Sequence, residues 1–133
     1  AYKESFPDRK GDQLMSRELE MAKLACRALD EKKGKDIKVI DIHEVSVIAD
    51  YFVIASASNQ NQVQAMVDNV DETLGRAGFE AKQIEGTRNS SWVLMDYGDM
   101  IVHVFDEENR LFYDLERIWR DGKELDISQF LEK

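Results

Sequence analysis

The sequence predicts a single α/β domain in which a mixed five-stranded sheet is flanked by helices, in the order α-β-β-α-β-β-β-α. Segments with apolar residues three and four positions apart alternate with short runs of β-branched and aromatic residues, as helices and strands do. The length of 133 residues is typical of one domain. A hydrophobic content of 43% is sufficient to bury a core. We therefore expect a fold that needs no disulfide or metal for its stability.

We expect three parts along the chain: a flexible arm over residues 1–15, the α/β domain over 16–121, and a tail or short helix over 122–133. The arm lacks the apolar run of a secretory signal peptide. Cys26 is the single cysteine, which excludes an intrachain disulfide and fits a reducing compartment. No apolar run approaches the roughly 18 residues needed to cross a bilayer. These features predict a cytoplasmic protein with no membrane partner.

The first half of the domain predicts a helix, two strands and a second helix. Ser16–Lys33 has an N-capping serine, one apolar stripe and a following glycine. Strands are expected over Ile37–Ile42 and Tyr51–Ala57, the second apolar enough to be buried on both faces. Only eight residues separate them, so an antiparallel pair is expected. The second helix is predicted over Asn59–Ala77.

The second half predicts three strands and two further helices. A strand over Phe79–Glu85 is polar and therefore expected near an edge of the sheet. The helix before it fits a parallel, right-handed crossover from the preceding strand. Strands over Trp92–Tyr97 and Met100–Phe105 follow. Helices are predicted over Asp106–Trp119 and Asp126–Lys133.

The two-residue connection Gly98-Asp99 predicts a type II′ β-hairpin. Such a turn places Tyr97 opposite Met100 and Trp92 opposite Phe105. Side chains alternate between the two faces of a sheet. An apolar face, expected to belong to the core, carries Val93, Met95, Tyr97, Met100, Val102 and Val104. The other face carries Trp92, Leu94, Asp96, Ile101, His103 and Phe105.

This second face of the hairpin has two interpretations. Large apolar groups beside a carboxylate and an imidazole are typical of a partly solvated binding surface. Alternatively, a helix covers this face as well, and His103 is hydrogen-bonded inside. The pattern of residues leaves both interpretations open.

The charge of the chain restricts the kinds of partner it can have. A net charge of −9 argues against nonspecific binding to nucleic acid phosphates and permits a basic protein partner. The segment Asp96–Arg117 has seven acidic and two basic residues and so contributes −5. The segment predicts either a solvated face or a surface for a basic partner.

No motif predicts catalysis, a metal ion or a cofactor. His43 and His103 are far apart in sequence and have no cysteine partners. The glycines are scattered and form no phosphate-binding loop. Asp96 and Asp99, with Asp41, could form a carboxylate set, but aspartate in a tight turn more often bonds locally. We therefore expect a protein without enzymatic activity.

Four blocks carry a resemblance to a known family. They are EKKG (Glu31–Gly34), IADYFVIASASNQNQV (Ile48–Val63), WVLMDYGDMIVHVF (Trp92–Phe105) and FYDLERIW (Phe112–Trp119). In this order they resemble the ribosomal silencing factor family, also called Iojap, over about Arg17 to Asp121. The resemblance implies a nucleotidyltransferase-like topology without transferase chemistry.

The resemblance also implies a function and a site. It implies a bacterial cytoplasmic protein that binds the large ribosomal subunit through universal ribosomal protein fourteen, blocks subunit joining and represses translation under nutrient limitation. The family's surface includes the tryptophan-bearing strand and the following turn, to which we add two residues of the next strand. The expected partner-binding residues are Trp92, Val93, Leu94, Met95, Asp96, Tyr97, Gly98, Asp99, His103 and Phe105.

Other expectations remain open. A free chain could cover an open hairpin face by forming a symmetric homodimer. Direct, specific binding to nucleic acid is not expected. The alternatives are a large-subunit assembly or adaptor factor and a nucleotidyltransferase-like enzyme, although the Gly-Ser loop with paired acids that a transferase needs is missing.

Overall fold

The computed structural model describes residues 17–86, 91–107 and 121–131. The helices in these ranges are α1 (Arg17–Glu31), α2 (Gln60–Arg76) and α3 (Ser128–Leu131). The strands are β1 (Lys35–Asp41), β2 (Tyr51–Ala57), β3 (Gln83–Glu85), β4 (Trp92–Asp96), β5 (Met100–Asp106) and β6 (Lys123–Leu125). The expected N-terminal arm lies outside the described residues. So does the predicted helix Asp106–Trp119, except for Asp106, which ends β5, and Glu107.

The strands form one mixed sheet in the order β3-β4-β5-β2-β1-β6. The antiparallel pairing of β1 with β2 confirms the prediction, and β2 pairs in parallel with β5. The predicted number of five strands is wrong by one. The additional strand, β6, pairs with β1 and places Lys123 opposite Asp41. Its three residues are too few to show an alternating pattern.

The third strand is shorter than predicted, and it is not a neighbour of β2. After α2, the backbone N–H of Phe79 donates to the carbonyl of Leu74, and that of Gly78 donates to the carbonyl of Gly75. These hydrogen bonds end the helix, and one of them involves Phe79, which was predicted to begin the third strand. β3 lies at the sheet edge, as its polarity predicted, but β4 and β5 separate it from β2.

The two long helices begin and end within two residues of their predicted limits. The side chain of Asn59 caps α2 by accepting a hydrogen bond from the N–H of Gln62 at 2.8 Å. The buried residues of all the described helices, including Phe130 of α3, belong to one core cluster with one face of the sheet. A smaller cluster lies on the opposite face, formed by Ile40, Ile42, Ala49, Phe52, Ile54, Ile101 and Phe105. The strand β2 is buried over nearly its whole length, which confirms its prediction as a central strand.

Candidate protein-interaction site on the β4–β5 hairpin

The hairpin has the register that its turn predicts. Trp92 lies opposite Phe105 and Asp96 opposite Ile101, and the N–H of Tyr97 donates to the carbonyl of Met100 at 2.9 Å. Gly98 has a φ of +91°, whereas Asp99 does not have positive φ. Positive φ at the first central residue alone is the signature of a type II′ turn. Oδ1 of Asp96 accepts the N–H of Gly98 at 2.7 Å, so this carboxylate stabilises the turn.

One face of the hairpin belongs to the core, as predicted. Val93, Met95 and Tyr97 are buried with the facing residues of β5 beneath the helices. The Tyr97 hydroxyl is buried and has no hydrogen-bond partner among the described residues. Burial, with a smaller contribution from Asp71, raises the pKa of Tyr97. These side chains position the hairpin and do not face its outer surface.

The opposite face is solvated over β4 but not over β5. Trp92, Leu94 and Asp96 are half-buried, whereas His103 and Phe105 are buried. Of the two interpretations left open by the sequence, the partly solvated surface therefore does not describe the β5 residues. The reason is topological: β5 lies between β4 and β2, and the ring of Phe52 on β2 packs against His103 in a T-shaped arrangement, with centroids 4.6 Å apart.

His103 supports Trp92 from inside the sheet. The indole N–H of Trp92 donates to Nδ1 of His103 at 3.1 Å, and the two rings stack with centroids 5.8 Å apart. Phe105 stacks on the same indole at 5.6 Å. Burial lowers the pKa of His103 to about 4, so the imidazole is neutral at pH 7. Of the alternative interpretation, the internal hydrogen bond of His103 is observed, whereas the described helices pack on the opposite face of the sheet.

The hairpin turn is attached to the loop between β1 and β2. The carbonyl oxygen of Asp99 accepts the N–H groups of Asp50 at 2.8 Å and Tyr51 at 3.2 Å. The Asp99 side chain is exposed, and the side chain of Lys82 lies against Gly98. The turn thus has a backbone fixed by hydrogen bonds and an exposed carboxylate that can meet a cation.

The described residues show no metal centre. Within ranges 17–86, 91–107 and 121–131, no group of three or more His, Cys, Asp or Glu side chains could hold a metal ion. His43 instead bonds Oδ1 of Asp41 through Nδ1 at 2.5 Å, which raises its pKa. Burial, with a smaller effect of Asp30, raises the pKa of the Cys26 thiol to about 12, as befits a core residue. Asp96 bonds locally in its own turn, the alternative that the sequence favoured over a carboxylate set with Asp99 and Asp41.

Exposed apolar residues on the β1–β2 loop were missed by sequence reasoning. Val45, Val47 and Ile48 are exposed, although they follow the buried residues Ile40 and Ile42. Their signal in the sequence is an apolar cluster inside a predicted connection, where turn residues are usual.

None of the described helices has the length and apolar character to span a membrane.

Comparison with known proteins agrees with the resemblance. A family model described as "Ribosomal silencing factor during starvation" matches residues 15–133. The chain is 37% identical over 105 residues to the ribosomal silencing factor of Bacillus subtilis, covering 79% of this chain and 89% of that one. It is 30% identical over 94 residues to the mouse protein "Mitochondrial assembly of ribosomal large subunit protein 1", covering 68% of this chain and 41% of that one.

A solved structure shows that the fold is shared as well. The crystal structure of a Chromobacterium violaceum protein matches with a TM-score of 0.74 and 33% sequence identity, covering 85% of this chain and 93% of that one. The family match spans nearly the whole chain, including the hairpin and β6. This chain therefore belongs to the ribosomal silencing factor family.

Proposed function

We propose that this protein represses translation in the bacterial cytoplasm by occupying the large ribosomal subunit when nutrients are limiting. It binds universal ribosomal protein fourteen and sterically blocks joining of the small subunit. Membership of the silencing factor family supports this role. The structural observation that carries it is the outer side of β4 and the turn that follows, where Trp92 and Leu94 keep accessible surface and the side chain of Asp99 is exposed. Occlusion needs a surface and no turnover.

The expected partner-binding residues divide into contacting and positioning groups. Trp92 and Leu94 supply apolar contact, and Asp99 meets a lysine or arginine on the basic ribosomal protein. His103 and Phe105 hold the indole from within the sheet. The remaining members act on the hairpin itself: Val93, Met95 and Tyr97 anchor it in the core, and Asp96 and Gly98 form the turn.

Charge reversal at Asp99 tests the proposal without disturbing the fold. Asp99→Lys should weaken binding to purified large subunits by about tenfold or more, because like charges then face each other across the interface. Co-sedimentation with large subunits and a subunit-joining assay measure the effect. Asp30→Lys is the matched control, since it reverses an exposed charge near the end of α1. Unchanged binding by Asp99→Lys would contradict the proposed contact.

Trp92 and Val93 provide a second test of which face binds. Trp92→Ala should abolish binding, but it will also lower stability because the acceptor on buried His103 loses its donor. Val93→Ala creates a core cavity and should destabilise the fold by about 1–3 kcal/mol while leaving binding by the folded fraction intact. Thermal melts of both variants must accompany binding measured well below their melting temperatures. Loss of binding by folded Val93→Ala alone would show that the two faces are assigned the wrong way round.

A role in large-subunit assembly is the second candidate, favoured by the name of the mouse relative. The two roles differ in what removal of the protein does to cells. An assembly factor's loss leaves incomplete large subunits during growth. A silencing factor's loss leaves normal subunits and excess translation in starvation. Sucrose-gradient profiles in both conditions distinguish them.

A further inference from the structure

The loop between β1 and β2, residues 42–50, presents apolar side chains to solvent. Val47 is fully exposed, Ile48 is 64% exposed and Val45 is 48% exposed. They are three of the four exposed large hydrophobic residues in the described part of the chain, the fourth being Ile84 on β3. Exposed apolar residues concentrated in one place mark interaction sites, whereas isolated ones need no explanation.

The loop is held in one arrangement by its own hydrogen bonds. The N–H of Ile42 donates to the carbonyl of Asp50 at 2.8 Å and closes the loop at its base. The hydroxyl oxygen of Ser46 accepts the N–H of Ile48 at 3.2 Å. Ala49 is buried in the smaller core cluster and anchors the loop to the sheet. A loop ordered in this way loses little conformational entropy when a partner binds.

The surroundings of the loop are acidic. Its base is bonded to Asp99 of the hairpin turn, so the loop and the turn form one continuous surface. Residues 41–50 and 96–99 contain no lysine or arginine, and their carboxylates are those of Asp41, Glu44, Asp50, Asp96 and Asp99. Two lysines adjoin this surface, Lys82 beside Gly98 and Lys123 opposite Asp41, so among the described residues the five carboxylates outnumber the neighbouring lysines. An apolar centre within an acidic rim complements an apolar depression with a basic rim.

We propose that Val45, Val47 and Ile48 form a second contact, in which the loop inserts into an apolar depression rimmed by lysine or arginine on the protein that the hairpin binds. The identity of that partner, a basic protein of the large subunit, rests on the proposed function. Charge selects this occupant over a second copy of the chain, which would bring the same carboxylates to the interface. RNA is disfavoured for the same reason, since its phosphates would face the acidic rim.

The double variant Val47→Ser/Ile48→Ser tests the second contact. Both side chains are exposed, so the thermal melt should be unchanged while affinity for purified large subunits falls about tenfold or more. Ile84→Ser is the matched control, because it removes an exposed apolar side chain from a different strand and should change affinity less than about twofold. Co-sedimentation and analytical ultracentrifugation provide the readouts.

The remaining outcomes each overturn the inference in a distinguishable way. If the double variant binds like wild type while Asp99→Lys does not, the loop is not a contact and the proposed function stands. If the wild-type protein does not bind large subunits, the proposed function fails together with the loop's partner. If wild type sediments as a dimer and the double variant as a monomer with unchanged subunit binding, a second copy is the occupant. If the double variant loses binding to naked ribosomal RNA but keeps binding to the subunit, RNA is the partner of the loop.

Discussion

The imidazole of His103 lies between Trp92 and Phe52 and is uncharged at neutral pH. Because Nδ1 accepts the indole N–H, the ring proton resides on Nε2, which is buried and has no partner among the described residues. An unbonded buried donor costs about 1–3 kcal/mol. The ring also contacts Phe105, with centroids 6.2 Å apart. We infer that His103 fixes the indole of Trp92 by this hydrogen bond, at a cost to the stability of the fold.

The lowered pKa of His103 predicts a loss of stability in mild acid. The pKa is about 4 in the fold against an ordinary 6.5, so below about pH 6.5 the unfolded chain binds the proton more strongly. The free energy of unfolding should therefore fall between about pH 6.5 and 4, by up to about 1.4 kcal/mol per pH unit from this group. Above about pH 6.5 this group contributes no pH dependence. Urea denaturation across this range measures it.

His103→Gln is the control for that measurement. Glutamine can still accept the indole N–H and does not titrate in this range. His43 has a raised pKa and therefore acts with the opposite sign, but it is present in both proteins and cancels in the difference. If the free energy of unfolding falls with pH in parallel for wild type and His103→Gln, His103 is not the group responsible for the loss of stability in acid.

At the scale of elements, the hairpin was predictable because a tight turn and strict alternation together specify register. All the observed β4–β5 pairs agree with the prediction. The burial of His103 and Phe105 was not predictable, because it depends on β2 lying beside β5, and 42 residues separate the end of β2 from the start of β5. The short strands β3 and β6 have too few residues to show a period.

Two glycine substitutions test the hairpin turn. Gly98→Ala should lower the free energy of unfolding by about 1–2 kcal/mol, because φ is +91° and the added Cβ would lie 3.1 Å from the end of Lys82. Gly75→Ala is the matched control in α2, where the new methyl meets no atom within 4 Å and helix propensity favours alanine by up to about 1 kcal/mol. Urea denaturation compares them. Equal stability of Gly98→Ala and wild type would refute the turn assignment.

At the scale of the whole molecule, the net charge of −9 governs how the protein meets its partner. Affinity for large subunits should weaken as monovalent salt rises from about 0.1 to 0.5 M, because the Debye length falls from about 10 to 4 Å. Equilibrium binding at several salt concentrations measures the slope. Asp99→Lys should show a shallower slope than wild type. Binding to naked ribosomal RNA as tight as binding to the subunit would contradict a basic protein partner.

The pairing of β6 with β1 has a consequence for how the chain folds as it is synthesised. The outer edge of β1 stays unpaired until Lys123–Leu125 emerges, about eighty residues after the end of β1. At roughly 5–20 residues per second this interval is about 4–16 s. An open edge can recruit a strand from another nascent chain, and charged side chains along it oppose such pairing. β1 has such charged side chains at Lys35, Asp36 and Lys38. They disfavour pairing of its open edge with another chain until β6 has been synthesised and pairs with it.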